Sequence, residues 1–116
     1  MEVWMMNILF KEFKDINPGM YPAKISSIKE ERGPYGSYLR FNFTITEGEL
    51  KEWSFYGIVK PNSFKQSKFY RWISTILENE SVEGFSIYEL IGKQCRILLQ
   101  KRLKEGKVYY TVADLV

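Results

Sequence analysis

The sequence predicts a mainly β domain, five antiparallel strands closed into a small barrel, with one helix between the third and fourth strands. Three observations lead there. Apolar and polar residues alternate with a period of two, most cleanly from Ser37 to Thr46. The period lengthens to spacings of three and four in one place, Phe64 to Glu78. Turn-forming residues separate the segments, as at Asn17-Pro18-Gly19, Gly33-Pro34-Tyr35-Gly36 and Lys60-Pro61-Asn62-Ser63. A chain of 116 residues is long enough for one buried core and too short for a second. The expected division is an N-terminal extension over residues 1–18, packing on or beside the barrel, and a domain over residues 19–116.

The first strand is expected from Met20 to Glu30, alternating through Tyr21, Ala23 and Ile25. Ile28 then falls out of phase. Ser26-Ser27 therefore suggests a β-bulge, which lets a long strand bend around a barrel. The second strand, Ser37 to Thr46, sets Leu39, Phe41, Phe43 and Ile45 against Tyr38, Arg40, Asn42 and Thr44, the pattern of a half-buried antiparallel strand. After a turn at Glu47-Gly48 comes a third strand, about Lys51 to Val59. Its inward face is undecided, because Trp53, Phe55 and Val59 compete with Tyr56 and Ile58.

The helix from Phe64 to Glu78 carries an apolar stripe of Phe69, Trp72, Ile73, Ile76 and Leu77, with Ser63 as cap and Gln66 completing a capping box. Residues 79–92 read as a polar connection with one short helical turn at Ile87 to Leu90, stopped by Gly92. The fourth strand, Gln94 to Lys101, alternates Cys95, Ile97 and Leu99 with Arg96, Leu98 and Gln100. Lys104-Glu105-Gly106-Lys107 turns into the fifth, Val108 to Asp114, where Val108, Tyr110 and Val112 alternate with Tyr109, Thr111 and Ala113. The order β-β-β-α-β-β is that of the OB barrel, in which a helix plugs one end and a partly open face binds ligands.

Composition excludes several kinds of chemistry. There is no histidine, so Ser-His-Asp and Cys-His catalysis and the usual zinc ligation are not available. The lone Cys95 sits on an apolar strand face and reads as a reduced core residue; it allows no disulfide within the chain. The carboxylates Glu30-Glu31, Glu47 with Glu49, and Glu78 with Glu80 fall at turns and element ends, where solvated charges are expected rather than acid-base pairs. No phosphate-cradling glycine motif occurs. The expectation is a protein that is not an enzyme, with no cofactor and no metal. No apolar run approaches the roughly 18 residues of a membrane span. The first ten residues lack a basic leader and a cleavage site, so neither membrane association nor secretion is expected and the location should be cytoplasmic, that of the host cell if the protein is viral.

What remains is binding. Eight Phe, eight Tyr and three Trp make 16% of the chain, more than so small a barrel can hide, which puts some rings on a working surface. Net charge is only +3, but basic side chains gather in residues 53–77 and 92–107 on either side of an acidic stretch. Single-strand binders join a basic groove that follows the phosphates to rings on which bases stack. Arg32 and Tyr35 precede the second strand, Tyr38 and Arg40 lie on its polar face, and Lys101, Arg102, Lys104 and Lys107 surround the last hairpin. An OB barrel would bring these together, with Trp53 or Tyr56 of the third strand as further stacking rings.

Four runs resemble one family: Gly19-Met20-Tyr21-Pro22-Ala23-Lys24-Ile25, Tyr38-Leu39-Arg40-Phe41-Asn42-Phe43-Thr44-Ile45, Leu90-Ile91-Gly92-Lys93-Gln94-Cys95-Arg96-Ile97 and Gly106-Lys107-Val108-Tyr109-Tyr110-Thr111-Val112. Together they look like the small OB-fold single-stranded-DNA-binding proteins of phages and other mobile elements, over about residues 19–114. The sequence departs from many of these in ending at Asp114-Leu115-Val116 rather than in a long acidic tail. The resemblance implies sequence-tolerant binding of single-stranded DNA in replication or recombination, with other replication proteins as further partners. Two alternatives stand beside it: an OB module for protein-protein interaction or a structural subunit of a larger assembly, and RNA binding.

Overall fold

The computed structural model describes residues 16–61, 66–78 and 86–116. Five strands form one antiparallel sheet: β1 (Gly19–Gly33), β2 (Gly36–Ile45), β3 (Ser54–Val59), β4 (Gln94–Lys104) and β5 (Lys107–Leu115). Helix α1 (Lys68–Leu77) lies between β3 and β4, and a single 3₁₀ turn (Ile87–Leu90) leads into β4. Among the described residues no helix is long and apolar enough to cross a membrane.

β1 organises the sheet. Its first half pairs with β4, from Gly19 opposite Leu99 to Lys24 opposite Gln94, and it pairs with β2 from Ala23 opposite Ile45 to Gly33 opposite Gly36. The register with β2 slips between Ile25 and Ser27, so Ser26 is the expected bulge. The slip turns Ile28 inward alongside Ala23 and Ile25, and all three are buried. On β2 the alternation holds throughout: Leu39, Phe41, Phe43 and Ile45 are buried, and the residues between them are half-buried on the outer face.

The core forms where these strands meet α1. Phe41 and Phe43 meet the Trp72 ring edge-on at centroid distances of 5.5 and 5.8 Å, and Ile73, Leu90, Ile97 and Leu99 close around them. Each such aliphatic or Phe side chain withdrawn from water stabilises the fold by roughly 1.5–3 kcal/mol. Trp72 has a polar edge to satisfy, and its Nε1–H donates to Asp114 Oδ1 on β5 at 2.9 Å. Ile16 also enters the core, and its carbonyl accepts from the Tyr110 hydroxyl. The rest of the expected N-terminal extension lies outside the described residues.

The strand order is β3-β2-β1-β4-β5, so β3 and β5 are the two edges. They approach each other without forming a ladder. The expected closed barrel is therefore corrected to a single curled sheet, open along one seam. Side-chain packing occupies that seam: a Cβ added to Gly57 would lie 2.6 Å from Trp72 Cη2 and 2.9 Å from the Val112 carbonyl oxygen. Gly57 also explains the undecided face of β3. Phe55, Gly57 and Val59 point inward, but the middle position has no side chain, because the Trp72 ring fills its space.

Other boundaries shift for local reasons. β3 begins at Ser54 rather than about Lys51, because residues 46–53 make successive turns, with Glu52 N–H bonded to the Ile45 carbonyl and Trp53 N–H to that of Leu50. The helix begins at Lys68, capped by Ser67, whose hydroxyl accepts from Tyr70 N–H; the expected cap Ser63 lies outside the described residues. Ser86 and Glu89 form a capping box on the 3₁₀ turn, which stops at Ile91 and Gly92 as expected. β4 and β5 run beyond their expected ends into a two-residue turn. Glu105 and Gly106 both take positive φ, 52° and 77°, the twist that matches a tight hairpin. Past Leu99 every β4 residue is exposed, but Tyr110 opposite Lys101 is still buried, so the hairpin projects from the core as a two-stranded ribbon only from the Arg102–Tyr109 pair outward.

Candidate functional site

The outer face of the sheet is built by register. Glu31 opposes Tyr38, Lys29 opposes Arg40, and Arg40 opposes Ile58 across β1, β2 and β3; Asn42 opposes Tyr56. Period two puts Tyr38, Arg40 and Asn42 on one surface with Tyr56 and Ile58. The Tyr38 ring rests on Gly33, where a Cβ would come within 3.1 Å of it, and its hydroxyl donates to Glu31 Oε2 at 2.8 Å. That bond stabilises the protonated phenol and, first among several causes, raises its pKa. The Arg40 guanidinium lies 4.3 Å above the Tyr56 ring, making a two-layer platform.

Two adjoining depressions follow the open seam and share Tyr56 and Tyr109. One is lined by Trp53, Ser54, Tyr56, Lys104 and Tyr109. The other is lined by Tyr56, Ile58, Lys68, Arg102, Tyr109 and Thr111. β5 enters with both parities: Tyr109, opposite Arg102, and Thr111, opposite Gln100, from the outer one, and the edges of the buried Tyr110 and Val112 from the inner one. Trp53 precedes β3 and stacks on Phe55 at 6.3 Å. Lys68, from α1, donates to the Ile58 carbonyl at the far end and lies 4.9 Å from the Trp72 ring centroid. Burial lowers its pKa, helped by the nearby Arg102 and Arg71 charges, while Asp114 opposes them.

The seam thus gathers the rings of Trp53, Tyr56 and Tyr109 with Arg102 and Lys104, and Arg40 adjoins them over the Tyr56 ring. Lys107 pairs with Lys104 across the hairpin turn and shares its side of the ribbon. Tyr35 projects from the β1–β2 turn almost fully exposed, and its carbonyl accepts from Lys60 Nζ at 2.9 Å, which ties that turn to the end of β3.

Two expected residues stand apart. Arg32 has the inward parity of Ile28 and Glu30, so it emerges on the opposite side of the β1–β2 hairpin from Tyr38 and Arg40. Lys101 pairs with Tyr110 and shares its ribbon face with the exposed Leu103, not with Arg102 and Lys104. Tyr109 and Lys68 were absent from the expected set. Tyr109 had a signal in the sequence, an aromatic on the polar parity of the last strand. Lys68 had none, because its position depends on how α1 crosses the seam.

Cys95 behaves as a core thiol: burial pushes its pKa up to about 12, far from a reactive thiolate. Neither a protein-family model nor a curated protein matches the sequence.

Proposed function

We propose that this chain binds single-stranded DNA, without catalysis and largely without regard to sequence, along the seam between β3 and β5. The reading is carried by the gathering of Trp53, Tyr56 and Tyr109 with Arg102 and Lys104 in the seam depressions, beside an Arg40 guanidinium seated over the Tyr56 ring. Rings offer every base a stacking surface, and cations beside them meet the phosphates. The centre of a protein interface is depleted of lysine and acidic residues, whereas this groove keeps both Lys104 and Lys68.

The strand order favours an OB barrel left partly open. In that fold the face of strands two and three and the loops joining strands one to two and four to five surround an oligonucleotide. Here the corresponding parts are the outer face of β2 and β3, the Pro34-Tyr35 turn and the β4–β5 ribbon. The choice of DNA over RNA, and a role in replication or recombination of a phage or mobile element, rest on the resemblance of the strand motifs.

The test is a titration of labelled oligo-dT, oligo-U and a duplex of equal length at low and moderate salt. The reading expects oligo-dT to bind well ahead of duplex, with log affinity falling linearly against log salt. Preference for oligo-U would move the assignment to RNA, and no binding of any strand at low salt would leave a protein partner for the aromatic face.

A further inference from the structure

We propose that Glu31 is an internal anion that occupies Arg40 in place of a phosphate, so that a strand binds there by exchange. The inference rests on the single-strand reading of the same face and adds to it the group that sets how strongly Arg40 contributes. Among the described residues, Glu31 is the carboxylate that register places with Tyr38, Arg40 and Lys29 on the outer face of β1 and β2. Its Oε2 accepts from the Tyr38 hydroxyl at 2.8 Å, and Oε1 lies 3.6 Å from an Arg40 terminal nitrogen.

The pairing is loose on the arginine side. At 3.6 Å it is an ion pair rather than a short charge-assisted hydrogen bond. Arg40 Nε is buried with no hydrogen-bond partner among the described residues, so Glu31 leaves that part of the donor fork unsatisfied, and an incoming phosphate would meet the terminal nitrogens. A guanidinium has five donors in one plane, and a phosphate can engage two at once where this carboxylate engages at most one weakly. The contact of Arg40 with the Tyr56 ring holds the cation beside the seam. A phosphate arriving there meets a positioned cation whose charge is already partly neutralised. It must displace Glu31, which remains nearby and repels it.

Exchange predicts a specific signature in salt dependence. An arginine that meets a phosphate with its charge free adds about 0.7 to the slope of log affinity against log salt on a single strand. With Glu31 beside it, Arg40 adds little, because the contact swaps one anion for another.

The experiment is a set of salt titrations on oligo-dT with wild type, Glu31→Gln, Arg40→Ala and the double variant, each checked by a melting curve. Gln keeps an acceptor for Tyr38 and removes only the charge. Glu31→Gln should bind roughly two- to fivefold tighter at low salt, the scale of a partly exposed charge pair. Its slope should steepen by about 0.7. Arg40→Ala should leave the wild-type slope nearly unchanged, yet abolish the gained slope in the Glu31→Gln background. Glu31→Ala, a second variant, should reproduce the steeper slope even where loss of the Tyr38 bond lowers the melting temperature. If wild type binds and Glu31→Gln binds with equal or lower affinity and an unaltered slope, the exchange is refuted and strand binding stands. If wild type binds no strand, both readings fall together.

Discussion

Replacing Gly57 with Ala would place a methyl group 2.6 Å from Trp72 Cη2 and 2.9 Å from the Val112 carbonyl oxygen. Neither neighbour can yield easily. The Trp72 ring is fully buried, wedged edge-on against Phe41 and Phe43 and held through Nε1 by Asp114; the carbonyl belongs to the β5 backbone. Reduced freedom of the unfolded chain favours Ala over Gly by about 0.4–1 kcal/mol, and Gly57 has no positive φ to forbid the change. Overpacking of a tight core costs about 1–3 kcal/mol, and approaches of 2.6 and 2.9 Å to a buried ring and to backbone put this case in the upper part of that range, so the net loss should be about 1–2 kcal/mol. In a domain of this size that lowers the melting temperature by roughly 4–8 °C. Thermal and urea melts of Gly57→Ala measure it directly. Trp72→Phe removes the atom behind the closer approach, so Gly57→Ala should cost less in that background than in wild type. Equal or higher stability of Gly57→Ala, or equal cost in both backgrounds, would show that α1 and β5 do not meet β3 at this point.

The other predictions concern the binding face and its supports. Tyr56→Ala and Tyr109→Ala should each weaken oligo-dT binding by about 1–3 kcal/mol with little change in salt slope, as measured by fluorescence titration. Arg102→Ala with Lys104→Ala should flatten the salt slope by about 0.7 for each phosphate no longer neutralised, whereas Lys101→Ala, on the other ribbon face, should leave it unaltered. Asp114→Ala strands the Trp72 indole N–H and should destabilise the fold by about 1–3 kcal/mol in a denaturant melt, with Asp114→Asn recovering part of the loss. The Cys95 thiol holds its proton up to about pH 12 when folded, against an ordinary value of 9.0. Between those values the folded protein binds a proton that the unfolded chain has released, so stability should fall as pH rises through that window. Cys95→Ala should flatten that alkaline limb in melts from about pH 8 to about pH 11.

Legibility followed the locality of the forces. β2 was readable because one face is buried along its whole length, so Leu39, Phe41, Phe43 and Ile45 follow strict alternation. The Ser26 bulge was readable for the same reason, as a slip in phase between Ile25 and Ile28. β3 was not, because its central inward position is glycine and the apolar volume there comes from Trp72, fifteen residues further along the chain. The open seam depends on how α1 crosses between the edge strands, which no strand pattern encodes. Of the candidate residues, Trp53, Tyr56, Arg102 and Lys104 line the seam, and Arg40 sits over Tyr56. The OB-barrel expectation joins Lys101 and Arg32 to them through the loops between strands one and two and strands four and five, yet parity carried through β4 and β1 sends both to the other side. The same parity brings in Tyr109.

A single strand lying on the β3–β5 seam would be seen most directly by nuclear magnetic resonance mapping of that face. On addition of oligo-dT to labelled protein, shifts should concentrate on the side-chain signals of Trp53, Tyr56, Tyr109, Arg40, Arg102 and Lys104, and the methyl signals of Leu103 and Val108 serve as the control for the other ribbon face. Cys95, the exposed side of α1 at Arg71 and Thr75, and the Leu103–Val108 face of the ribbon should stay unchanged. Perturbation centred on α1 or on the Leu103 face, with the seam silent, would contradict the account.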